Sequence, residues 1–115
     1  MAAADDRLRR LGEVGGMLRD AALARLKTAA AECRRIEAEI AALDADRRKA
    51  ETEADPAVRA ALDGSRERWY LQRRAVLNGA LALARAEEAT RMREAARAFG
   101  RDDALHRLIR RAAEE

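Results

Sequence analysis

From Leu26 to Ala50 the chain obeys one rule: Leu26, Ala29, Cys33, Ile36, Ile40, Leu43, Arg47 and Ala50 follow one another at alternating steps of three and four. Only a helix puts residues so spaced on one stripe. Sustained for more than three heptads, the pattern is the seam of a coiled coil. Glu, Arg, Asp, Lys and Ala fill the intervening positions, as a solvated face requires. Upstream, Leu8, Leu11, Val14 and Leu18 extend an apolar stripe that slips by one residue across Ala22, a discontinuity that alters local winding. Gly12, Gly15 and Gly16 weaken this stretch, each costing about 0.5–1 kcal/mol against alanine in a helix.

The strongest punctuation is Asp55-Pro56. Proline disfavours helical geometry in the residue before it but suits the first position of a new helix. Asp55 is a good N-cap, its carboxylate accepting from the free amides of the following turn. The reading is therefore a single helical hairpin over 1–115, with helix one over about 5–53, a turn at 54–56 and helix two over about 56–112. A connection this short makes the helices antiparallel neighbours. Val58, Leu62, Trp69, Val76 and Leu83 are read as the seam of helix two, widened by Leu77, Ala80 and Leu81. The apolar phase then drifts through Ala86, Ala89, Met92, Ala96 and Phe99 to Leu105, Leu108 and Ile109. Gly64-Ser65 and Gly100 to Asp102 offer stop and start signals, so a kink or short C-terminal helix near residue 100 and an unbroken helix are both open.

Composition agrees with this all-α, long antiparallel two-helix coiled-coil hairpin. Thirty of 115 residues are alanine, 39% are charged and 3% are aromatic. Such a chain lacks the bulky side chains of a compact core and has the make-up of long helices. The net charge of +3 is small. Acids interleave with the arginines, and Asp44/Arg48, Glu87/Arg91 and Asp103/Arg107 sit four apart, the pattern of a salt-bridged helix surface. Nucleic-acid binders concentrate their basic residues instead.

The chemistry of catalysis finds little support. His106 is the sole histidine, so a His-rich metal site or a His dyad lacks its second member. Gly15-Gly16 is not followed by the Lys-Ser/Thr of a phosphate-binding loop. Cys33 falls on the seam, where a buried, inert thiol is the ordinary explanation, and as the only cysteine it excludes an intramolecular disulfide. The expectation is a protein that is not an enzyme, with no catalytic residue, metal or cofactor. No apolar run approaches a membrane span and Met1–Arg10 lacks a signal-peptide apolar core, so the expected location is cytoplasmic, at most peripheral to a membrane through a protein partner.

Three features stand out as contact candidates: Trp69-Tyr70 beside Arg73 and Arg74, the basic turn Arg107, Arg110 and Arg111, and Phe99 beside Gly100. Adjacent aromatics on a helix cannot both face one seam, and exposed aromatics beside arginines are typical of protein-binding hot spots.

With these in place, the chain resembles the FliJ/YscO family of type III export components. The likeness rests on the first-helix heptad, the proline-bearing break, the opening Glu67-Arg68-Trp69-Tyr70-Leu71, the long Ala/Glu/Arg helix and the closing Ala104-Leu105-His106-Arg107-Leu108-Ile109-Arg110-Arg111. It covers most of the chain. The resemblance implies a stalk or adaptor of a flagellar or type III protein export ATPase, with the ATPase ring, the export gate protein and chaperones as partners. It places the ATPase-facing end at Leu8, Leu11, Leu105, Arg107, Leu108 and Arg111, and a gate-binding patch at Trp69, Tyr70, Arg73 and Arg74. The competing readings are a coiled-coil homodimer that binds nucleic acid through the second helix's arginines, and a generic structural adaptor.

Overall fold

The computed structural model describes residues 2–53 and 55–115, the Glu53 side chain excepted. Helix α1 spans Ala2–Glu53 and α2 spans Pro56–Glu114, and the described residues contain no strand. The protein is an all-α antiparallel helical hairpin. Both helices run a turn or less beyond the expected ends, and Ala54 of the expected turn lies outside the described residues.

The Asp55-Pro56 start is built as its chemistry requires. The Ala57 amide donates to Asp55 Oδ1 at 3.0 Å, and the Arg59 amide donates to the Asp55 carbonyl at 2.8 Å. This is an N-cap followed by proline at the first helical position. No basic residue stands in the last turn of α1. Arg59 supplies one from α2, donating to the Glu51 carbonyl at 2.5 Å and satisfying an acceptor that the helix itself leaves open.

Neither Gly64 nor Gly100 interrupts α2. A helix-ending glycine needs a left-handed backbone, and no described glycine has positive φ. Ser65 and Asp102 therefore cap nothing. Asp102 instead is buried against α1.

Two compact units share these helices, Met1–Ala29 with Glu87–Glu115, and Ala30–Ala86. In the unit that contains the turn, Cys33, Ile36, Leu43, Leu77, Leu81 and Ala84 form the core, with Ile40, Tyr70 and Ala80 packed against it. In the unit that contains the chain ends, Ala22, Ala95 and Ala98 form a smaller core, flanked by Leu26.

The 26–50 seam is as the heptad predicts, but the stripes on either side of it are not. In α1 the inward positions run Leu8, Gly12, Gly15, Arg19, Ala22, Leu26 and onward to Ala50 without a slip. Leu11, Val14 and Leu18 are exposed, at 53%, 47% and 52%. In α2 the inward positions are Glu67, Tyr70, Arg74, Leu77, Leu81, Ala84, Glu88, Arg91, Ala95, Ala98, Asp102, Leu105 and Ile109, again at steps of three and four. The residues read as its seam, Val58, Leu62, Trp69, Val76 and Leu83, all face solvent, as do Met92, Phe99 and Leu108 further along.

The physical reason is persistence of phase. Continued past Leu83, the Leu62–Trp69–Val76 stripe reaches Thr90, Arg93, Arg97 and Gly100, and so loses its apolar character. The Leu77–Leu81 phase continues through Ala95, Ala98, Leu105 and Ile109 and also brings Glu67 to Arg47 and Asp102 to Arg19. A helix pairs along the phase it can keep.

Candidate protein-binding surfaces

The turn-containing unit carries a polar cluster within its seam. Arg47 of α1 places its guanidinium 4.2 Å from the centroid of the Tyr70 ring and donates to both Glu67 carboxylate oxygens at 2.8 and 2.9 Å. Tyr70 donates its hydroxyl proton to Asp44 Oδ1 at 2.7 Å, and Arg74 lies 3.4 Å from the other oxygen of the same carboxylate. Hydrogen bonding with Tyr70, followed by the charges of Glu67 and Glu51, raises the Arg47 guanidinium above its ordinary range. Asp44, expected to pair with Arg48 along its own helix, is thus turned across to α2. A cleft of about 590 Å³ opens beside this cluster, lined among others by Leu43, Ala50, Asp63, Arg66 and Trp69. Beyond Leu43 the seam positions there are Arg47, Ala50, Asp63 and Glu67, where bulky apolar residues would have closed the seam.

This geometry divides the candidate patch at Trp69, Tyr70, Arg73 and Arg74. Tyr70 and Arg74 are half-buried and committed to Asp44, so they help to hold the hairpin together. Trp69 is 61% exposed, and Arg73 is exposed with a long 3.5 Å contact to Glu39. The tryptophan, not the tyrosine, is therefore the aromatic that a partner can reach.

In the unit of the chain ends, the helices approach closely. A Cβ placed on Gly12 would lie 2.7 Å from Ile109 Cδ1, and one on Gly15 would lie 2.8 Å from Leu105 Cδ1. Beside them Arg19 donates to Asp102 Oδ2 at 2.8 Å and stands 5.7 Å from the Phe99 ring centroid. Asp102 is 3% exposed, and its Oδ1 has no hydrogen-bond partner among the described residues. The His106 ring Nδ1 lies 2.8 Å from the Asp102 carbonyl and 3.3 Å from Oδ1.

The second candidate set lies around this contact. Leu105 touches Gly15, and Leu8 is half-buried. Leu11 and Leu108 are exposed, each one residue ahead of the touching pair Gly12 and Ile109. Arg107 pairs with Asp103 at 2.8 Å along its own helix, and Arg111 stands exposed in the last turn.

No model of a known protein family, no curated protein and no solved structure matches the chain. The surfaces must therefore be weighed on their chemistry alone.

Most of the remaining charge is local. Arg35 bridges Glu32 and Glu39, and Arg91 bridges Glu87 and Glu94. The hydrogen bond from Arg35 holds the Glu32 carboxyl below its ordinary value, outweighing the opposing effect of desolvation. Pairs this exposed stabilise little. Among the described residues no group of three His, Cys, Asp or Glu side chains is placed to hold a metal ion, and no helix is long and apolar enough to cross a membrane.

Sequence reasoning missed the outward stripe of α2 by placing it inside the seam; it passed over Arg19 and read Asp102 only as a helix start, not as a seam residue. The signal for the pair was available. Extending the 26–50 steps backward lands on Arg19, and extending the Leu77–Leu81 steps forward lands on Asp102.

Proposed function

We propose that this protein is a non-enzymatic coiled-coil adaptor that works by binding other proteins, in the specific form of a stalk of a flagellar or type III protein export ATPase joining the ATPase ring to the export gate. The observation that supports the reading is the construction of the unit that contains both chain ends. There two helix ends pack closely through glycines while Leu11, Val14, Leu18 and Leu108 remain turned to solvent. A closely packed helix pair with leucines outside is suited to insertion into a ring of subunits, where those leucines become buried.

The test is a titration of the purified hairpin against an export ATPase, read as complex formation and as change in ATP turnover. The protein should bind, and Leu11→Glu with Leu108→Glu should weaken binding about tenfold or more while leaving helicity unchanged. A wild-type hairpin that neither binds nor alters turnover overturns the export reading.

A further inference from the structure

The outward side of α2 between Val58 and Ala86 carries a second heptad. Leu62, Trp69, Val76 and Leu83 recur at intervals of seven, and Val58, Ser65, Gln72, Gly79 and Ala86 form the column beside them at the same interval. The Val58–Ala86 column lies opposite the seam of α2 with α1 and the Leu62–Leu83 column beside it, Trp69 also reaching the cleft at the seam; the large members are 39%, 61%, 61% and 76% exposed. Single exposed apolar residues need no explanation, but a continuous file of them does. The file ends where its phase reaches Arg93 and Arg97, so it is confined to the turn-containing unit.

The chemistry of the file identifies its occupant. Its strict seven-residue interval is that of a helix meeting a second helix at a small crossing angle, bulky side chains alternating with the holes left by Ser65, Gly79 and Ala86. From Leu62 to Leu83 the file is about 32 Å long, at roughly 1.5 Å per residue. It is also narrow. A helix that lies in a membrane surface needs a broad apolar face, whereas here the second column holds Ser65, Gln72 and Gly79.

Charge then selects among helices. Arg59, Arg66 and Arg73 line one flank of the file, and Arg68 stands on the other. Neither Arg66 nor Arg68 has an ion pair among the described residues. From Val58 to Ala86 the only acids are Asp63 and Glu67, and both belong to the seam side. A second copy laid along the same face would set arginine against arginine. We propose that this face docks an acidic amphipathic helix of a partner protein as a third helix on the hairpin. The inference stands apart from the export reading and holds for any partner of that chemistry.

Trp69, the only tryptophan, lies within the file and reports its burial. The probe is a synthetic peptide of about four heptads with Leu and Ala at its seam positions and Glu on both flanks, compared with the same peptide carrying Lys flanks. Addition of the Glu peptide to the full chain should shift Trp69 emission to the blue and saturate, with affinity falling as salt rises. The Lys peptide should bind about tenfold more weakly or worse. Val76→Asp and Leu83→Asp, each at an exposed position, should abolish the shift without loss of helicity. Arg66→Glu with Arg68→Glu should reverse the preference between the two peptides.

Four results would overturn the proposal. They are no shift with either peptide, equal binding of both with no effect of the charge reversal, a concentration-dependent shift with a dimer mass in sedimentation of the protein alone, or a shift on phosphatidylserine vesicles that the Glu peptide does not reproduce.

Discussion

At the scale of single residues, charged side chains on the seam do more than those on the surface. Arg19 and Asp102 meet across the hairpin with the carboxylate almost wholly buried. A buried ion pair often adds little net stability, but breaking one strands the surviving charge. Arg19→Leu should therefore cost about 1–3 kcal/mol, the range for a buried polar group left unsatisfied. Adding Asp102→Leu to the same chain should recover most of that loss. Urea unfolding of the two single variants and the double variant measures the coupling directly, and simple additivity would show that the pair does not hold the helices in register. The charge of these residues is also why they escape a reading of apolar pattern. Arg47 at a seam position was legible because it sits inside an apolar run, whereas Arg19 follows Gly15 and Asp102 follows Ala98 on their seams, small residues that mark the stripe weakly.

Among elements, the two helices differ in how plainly they announce their faces. The 26–50 segment has one apolar stripe and leaves no choice, and Asp55-Pro56 fixes where α2 begins. The second helix has two stripes at coiled-coil spacing, and the one with the larger side chains is the one turned outward. Local bulk misleads there, because pairing is decided along the whole helix. The glycines give a second case. Gly64 and Gly100 looked like stops, yet both lie within α2 with nothing within 4 Å of an added Cβ. Replacing either by alanine removes only the conformational cost of glycine in a helix, so each should stabilise by about 0.5–1 kcal/mol. For a chain of this size that is a rise of about 2–8 °C in Tm. Gly12→Ala should gain less or lose stability, since its Cβ would meet Ile109 Cδ1 and force that side chain to move. Thermal melts of the three variants decide the matter. An equal rise in all three would mean that the glycine at position 12 does not hold the helices close.

For the molecule as a whole, two helices side by side bury each seam residue on one flank only, and no large side chain among those described falls below 2% exposure. Stability must then be uneven, following how much apolar area each unit hides. The turn-containing unit buries Ile36, Leu43, Leu77 and Leu81. The unit of the chain ends relies on Ala22, Ala95 and Ala98 with Leu26 beside them. Each leucine or isoleucine fully removed from water contributes about 1.5–3 kcal/mol, and alanine far less. Local opening should accordingly cost less in the unit of the chain ends, as it does wherever buried apolar contacts are few. Native-state hydrogen exchange should find the slowest amides between Cys33 and Leu43 and between Leu77 and Ala84. Amides near Ala22 and Ala95 should exchange faster, with a lower free energy of opening. If the chain ends enter a ring of subunits, as proposed, binding at Leu11 and Leu108 should slow that second group selectively, because a ligand protects whatever must stay folded to hold it. Uniform protection along both helices would mean that the glycine-mediated contacts near Ile109 compensate for the small alanine core, and that the chain ends need no partner to complete them.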